Sequence, residues 1–101
     1  MALIVANWKM HKTTNETKDF IDKFIPLVQN VKDIEIVIAP PFTCLSVANA
    51  LVKDTNIKLA AQDIFWELEG AYTGEISGLM LKDVGCSYVI IGHSERRKYF
   101  Y

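Results

Sequence analysis

The chain has 101 residues, 50% of them hydrophobic, which is enough for one core with little left over for a second domain. Lysine and arginine number 11 against 12 acids, so a net charge of −1 provides no field for nucleic acid or an anionic membrane, and any anion must be held locally. No apolar run approaches the roughly 20 residues of a bilayer span, and the N-terminus lacks the basic start and apolar length of a secretory signal, so a cytoplasmic protein with no membrane partner is expected.

Leu3 to Ala6 is a short continuous apolar run, the pattern of a strand buried on both faces. Asn7 and Lys9 follow two apart, and the period of a strand would aim both side chains to one side. An ammonium beside an amide donor can anchor a phosphate or a developing oxyanion. Taken alone, a lysine at a strand end is more often a solvated surface group.

Thr13 and Glu16 have capping-box spacing, and Phe20, Ile21, Phe24, Ile25 and Val28 then recur on one helical face. Pro26 is a candidate kink, and the helix is expected to end near Asn30. Ile34 to Ala39 gives a second strand, closed by Pro40 and Pro41. Thr43 is then expected to cap a helix carrying Leu45, Val47, Ala48, Leu51 and Val52. A third strand spans Ile57 to Ala61, where lysine and alanines dilute the signal. A long loop from Gln62 to Ile76 leads to a short helix from about Ser77 to Val84, which Gly85 can terminate. A fourth strand is expected over Ser87 to Ile91. Starts at 3, 34, 57 and 87 suit right-handed βαβ crossovers in a parallel sheet. Cys44 and Cys86 sit in apolar neighbourhoods without CxxC spacing, so buried, reduced thiols are expected, with no zinc site or disulfide framework.

Beyond the fourth strand stand Gly92, His93, Ser94, Glu95 and Arg96. Ser94 to Arg96 could cap and begin a helix, placing the His93 ring near the positive end of its dipole, a field that disfavours imidazolium. A neutral histidine can donate a hydrogen bond to a substrate carbonyl and act as an electrophile as an enediolate forms. A lone histidine after an apolar strand is more often a satisfied structural side chain, and Glu95 and Arg96 are more often ordinary first-turn helix charges. Two parallel architectures fit, an open doubly wound sheet or a (β/α)8 barrel of roughly 250 residues. Neither GxGxxG nor GxxxxGK[ST] is present, which removes support from the nucleotide-binding open sheets.

Ala6-Asn7-Trp8-Lys9-Met10 and Ile91-Gly92-His93-Ser94-Glu95-Arg96-Arg97 resemble motifs of the triosephosphate isomerase family. Ala39-Pro40-Pro41-Phe42, Ala61-Gln62-Asp63 and Gly70-Ala71-Tyr72-Thr73-Gly74-Glu75-Ile76-Ser77 are similar to that family's second strand end, third strand end and interface loop, so the likeness runs through the whole chain in order. It implies an α/β fold, the (β/α)8 TIM barrel, with strands 1 to 4 and the first three helices here, as the N-terminal part of a single domain over 1–101 with no internal boundary. It implies an isomerase that interconverts dihydroxyacetone phosphate and D-glyceraldehyde 3-phosphate through an enediolate, in glycolysis and gluconeogenesis. Lys9 would hold the phosphorylated triose and its developing charge, with Asn7 supporting that site. His93 would be the neutral electrophile, Glu95 would orient the Lys9 ammonium, and Ser94 would fix the turn. Tyr72, Thr73 and Glu75 would be contacts of a homodimer, although without the resemblance that segment reads as a flexible polar loop. No metal and no organic cofactor is implied.

The family also requires a glutamate general base from a later strand, a mobile lid and phosphate-gripping backbone amides. Glu67, Glu69, Glu75 and Glu95 do not stand in the base motif. Lys98-Tyr99-Phe100-Tyr101 falls where a fourth helix should be beginning, and a truncated chain is expected. The alternative is a catalytically inactive half-barrel, a folding or association module retaining Asn7, Lys9 and His93 as an anion-binding remnant. A different phosphate-binding barrel enzyme is disfavoured by Asn7-x-Lys9 occurring together with Gly92-His93-Ser94-Glu95.

Overall fold

Four apolar runs pair in chain order into one parallel sheet, β1-β2-β3-β4, with one helix in each connection. The computed structural model describes residues 2–91. The elements are β1 (Ala2–Asn7), α1 (Thr14–Val28), β2 (Ile34–Ala39), α2 (Phe42–Val52), β3 (Ile57–Ala61), α3 (Gly78–Asp83) and β4 (Cys86–Val89). The expected order therefore holds, with each strand starting within a residue of its expected place. The register sets Asn7 beside Ala39 and Ile38 beside Leu59, so the carboxyl ends of the strands share one edge.

Alternation divides the sheet into two faces. Ile38, Ile57, Leu59 and Ala61 turn toward the helices, where they meet Ile21 of α1, Leu45, Ala48 and Val52 of α2, and Leu81 of α3. Val37, Ala39 and Ala60 pack with Tyr88 and Ile90 on the other face. Each fully buried Ile or Leu in the larger cluster contributes about 1.5–3 kcal/mol. The alanines that weaken β3 in the sequence are buried, Ala60 and Ala61 on opposite faces of a strand that sits between two neighbours.

Helix ends follow local chemistry where the sequence provides it. The Thr13 hydroxyl accepts from Glu16 N at 3.3 Å, and Glu16 Oε1 accepts from Thr13 N at 3.0 Å, completing the capping box. Ser77 caps α3 by accepting from Met80 N, and Gly85, at φ +94°, closes it. A Cβ at Gly85 would collide with the Asn49 carboxamide. Pro26 lies in the last turn of α1 without ending it there. The end at Val28, slightly before the expected Asn30, is set from afar, because Asn56 Nδ2 donates to Val28 O at 2.7 Å and to Val31 O at 3.1 Å.

Four expectations need correction. Thr43 does not cap α2: the helix starts at Phe42 with Pro41 as N-cap, because the Pro41 carbonyl already accepts from Cys44 N at 2.9 Å. β4 runs Cys86–Val89 rather than Ser87 to Ile91, with a register shift that leaves Ser87 out of step between Leu59↔Cys86 and Ala60↔Tyr88. Cys44 is buried but Cys86 only partly so. Finally, β1 is not buried on both faces: Leu3, Ile4 and Val5 are 51%, 55% and 43% exposed, since among the described residues β1 pairs with β2 alone and α1 packs against α2.

Replacing the buried Leu45 by Ala should lower the unfolding free energy by about 2–5 kcal/mol, whereas Leu27→Ala, at a position 78% exposed, should stay within about 0.5 kcal/mol. Urea titrations of both variants check the contrast. Thr13→Ala should cost about 1 kcal/mol by loss of the cap. The Glu16 carboxyl is held below its ordinary 4.5, chiefly by the Thr13 backbone N–H and then by the Thr13 side chain. A lowered folded value means that its stabilisation is present above the ordinary value and lost as pH falls through the lowered one. The stability gap between the wild type and Glu16→Gln should therefore close as pH falls below the ordinary 4.5.

Candidate functional site at the carboxyl edge of the sheet

At the end of β1 the chain leaves the sheet through a turn built by its own side chain. Asn7 Oδ1 accepts from Lys9 N at 2.8 Å, and Lys9 adopts a left-handed φ of +53°. The strand ends at Asn7, so its period does not set where Lys9 points, and the expectation of two side chains aligned along one strand is corrected. What brings Asn7 and Lys9 together is the turn. A left-handed lysine costs about 1–2 kcal/mol against a right-handed backbone, and strain of this kind clusters at functional sites.

Trp8 pins the turn from beneath. Its backbone N–H donates to Ala39 O at 3.1 Å, its ring is buried, and it meets Phe20 edge-on at 5.3 Å between centroids. Lys12, also left-handed at φ +79°, sets Nζ 5.4 Å from the Trp8 ring centre and 5.2 Å from that of Phe20. The buried Cys44 thiol donates to Lys12 O at 3.3 Å. With Trp8 held inward, Lys9 stands exposed at the edge.

Sequence reasoning singled out no role for Gln62. Its Nε2 donates to Lys9 O at 2.7 Å and to Ala39 O at 2.9 Å, joining the ends of β1 and β2 to the residue that follows β3. The available signal was an amide placed directly after a buried apolar strand, at the edge where a parallel sheet gathers its functional groups. Beside it, Ile90 N donates to Ala61 O at 2.9 Å, so the chain after β4 reaches the same edge. His93, Ser94 and Glu95 lie outside the described residues.

The segment from 62 to 76 folds back on itself. Phe65 N donates to Ile76 O at 2.8 Å, and Phe65 stacks on Trp66 and meets Tyr72 at 4.5 Å between centroids. Tyr72 N donates to Gly70 O and Glu75 N to Tyr72 O, both at 3.0 Å. Tyr72 and Thr73 are exposed at its tip and Glu75 partly buried. On the sheet face away from the helices, the Glu35 carboxylate beside the Tyr88 phenol favours its protonated form and raises its pKa. Burial raises that of the Cys86 thiol, which makes it a poor nucleophile. Among the described residues, no three His, Cys, Asp or Glu side chains gather into a set that could hold a metal ion.

A family model described as triosephosphate isomerase matches residues 2–101. The triosephosphate isomerase of Dictyoglomus thermophilum is 65% identical over 98 residues, covering 97% of this chain and 39% of that protein. That of Geobacter metallireducens is 60% identical over 98 residues with the same coverage. The solved triosephosphate isomerase of Bartonella henselae superposes with a TM-score of 0.87 at 36% identity, covering 98% of this chain and 40% of that one. The chain thus spans about two-fifths of the length of the relatives it matches.

At position 9 the usual order of substitutions should invert. Because φ is positive there, Lys9→Gly should be more stable than Lys9→Ala by about 1 kcal/mol, the reverse of the order in a helix or strand. Denaturant midpoints of the two variants measure this directly.

Proposed function

The chain belongs to the triosephosphate isomerase family, and from that premise we propose that the whole protein interconverts dihydroxyacetone phosphate and D-glyceraldehyde 3-phosphate by proton transfer through an enediolate. One observation carries the reading furthest. Lys9 is held in a strained, left-handed turn between Asn7 Oδ1 and Gln62 Nε2, with its side chain exposed at the carboxyl edge of a parallel sheet. Strain maintained by two hydrogen bonds at the edge where such folds place their chemistry favours a ligand-binding cation over a solvated one.

In this reading the Lys9 ammonium meets the triose phosphate and the negative charge that grows on the substrate oxygen, a charge-assisted contact strengthened in the transition state. Asn7 commits its carboxamide oxygen to the turn, and its nitrogen is the group that would face the ligand. His93 donates to the carbonyl oxygen as the electrophile, and Glu95 orients the Lys9 ammonium. Isomerisation takes a proton from one carbon and returns it to its neighbour with no net oxidation, so a carboxylate base and these donors suffice. The base and the phosphate-gripping amides belong, in the family, to later strands.

Tyr72, Thr73 and Glu75 form the homodimer contact in this proposal. Support comes from the folded loop itself, which presents Trp66, Leu68 and Tyr72 outward from a self-bonded frame, a surface suited to a partner. A cytoplasmic location is proposed, where phosphorylated trioses are handled.

The test is an isomerase assay on the full-length protein in both directions, and absence of turnover there would favour the association-module reading. His93→Gln should lower kcat by about 10²–10⁴-fold with an unchanged unfolding midpoint; unfolding of this variant would instead mark His93 as structural. Lys9→Met should weaken inhibition by glycerol 3-phosphate by about ten-fold or more, and an unchanged inhibition constant would remove Lys9 from the site.

A further inference from the structure

We propose that Gln62 is the positioning residue for Lys9, its single amide group holding the left-handed turn in the shape that aims the ammonium at a phosphorylated ligand. The inference rests on the isomerase reading and assigns a role to a residue that reading leaves unused.

Two bonds hold the Lys9 peptide from opposite ends, Asn7 Oδ1 on its N–H at 2.8 Å and Gln62 Nε2 on its carbonyl at 2.7 Å. The first is local and would form in any Asx turn. The second spans 53 residues and ties the turn to the sheet. The second Nε2 hydrogen goes to Ala39 O at 2.9 Å, and that carbonyl also accepts from Trp8 N. One –NH2 group therefore serves carbonyls from the turn after β1 and from the end of β2. With both hydrogens spent on backbone oxygens, Gln62 does not act on substrate through that group and works through Lys9.

The nearest replacements do not reproduce this geometry. Glutamate would aim carboxylate oxygens at two carbonyl oxygens, asparagine is one methylene short, and methionine keeps the length but has no donor. The left-handed backbone of Lys9 supplies the opposing strain, so loss of the amide frees the turn to relax.

The test is a double-mutant cycle in the full-length protein, combining Gln62→Met with Lys9→Met and reading inhibition by glycerol 3-phosphate, kcat and the unfolding midpoint. If Gln62 acts through Lys9, Gln62→Met weakens inhibition by about ten- to a hundred-fold. The same substitution then has no further effect once Lys9 is Met, even though the midpoint falls equally in both backgrounds. Additive effects, or unchanged inhibition in Gln62→Met, overturn the proposal and leave Gln62 a structural tie.

Gln62→Glu provides a second measure should the methionine variant fail to fold. Its carboxyl donates only while protonated, so inhibition relative to the protein with Gln62 should be strongest at low pH and weaken as pH rises. Measured at each pH relative to the protein with Gln62 retained, which removes the titration of the phosphate itself, that extra pH dependence should vanish in the Lys9→Met background; an extra dependence that persists there overturns the proposal. A wild-type protein that neither turns over triose phosphate nor is inhibited overturns the isomerase reading itself, an outcome distinct from an additive cycle.

Discussion

Parallel pairing in chain order, β1 beside β2, β2 beside β3 and β3 beside β4, is the constraint on which the remaining features rest. Each crossover returns the chain to the start of the next strand, so the carboxyl ends of all four strands meet at one edge. Asn7, Ala39, Ala61 and the chain beyond Val89 come from four separate stretches of sequence and become neighbours only through this geometry. The backbone groups at that edge have no next residue in the ladder, and several are satisfied by side chains instead. Gln62 is the clearest case, closing the carbonyl of Lys9 and adding a second donor to that of Ala39, which already accepts from the Trp8 backbone N–H.

The same pairing explains the distribution of packing. β3 lies between two strands, and its small alanines are buried, while the larger Ile38, Leu59, Leu45 and Ile21 fill the space under the helices. β1 has a partner on one side among the described residues, and its leucine, isoleucine and valine remain partly open despite an apolarity equal to that of β2. Burial is a property of neighbours, and hydrophobicity alone does not confer it.

Local strain is concentrated in the segment after β1, where Lys9 and Lys12 both take left-handed backbones. The surrounding structure holds them by specific means: an Asx turn and a glutamine on Lys9, the Cys44 thiol on Lys12 O, and two aromatic rings under the Lys12 ammonium. A stretch chosen for stability alone would place glycine at such positions. Lysine there costs about 1–2 kcal/mol per residue against a right-handed backbone.

Sequence alone determined the element order, the strand starts to within a residue, the capped start of α1 and the glycine end of α3, because strand runs, capping boxes and helix-ending glycines act over a few residues. It also determined the family, through motifs spread along the chain. The turn at Lys9, the tie from Gln62, the closure of α1 by Asn56 and, among the described residues, the exposure of β1 were decided by tertiary structure. The tie from Gln62 and the closure by Asn56 join residues 53 and 28 positions apart, and the exposure of β1 depends on which elements stand beside it. The Lys9 turn, although local, shows only as a break in strand periodicity that apolar patterning does not encode. Pairing over such separations leaves no periodic trace, since one amide can meet a distant carbonyl only after the sheet has brought both to the same edge.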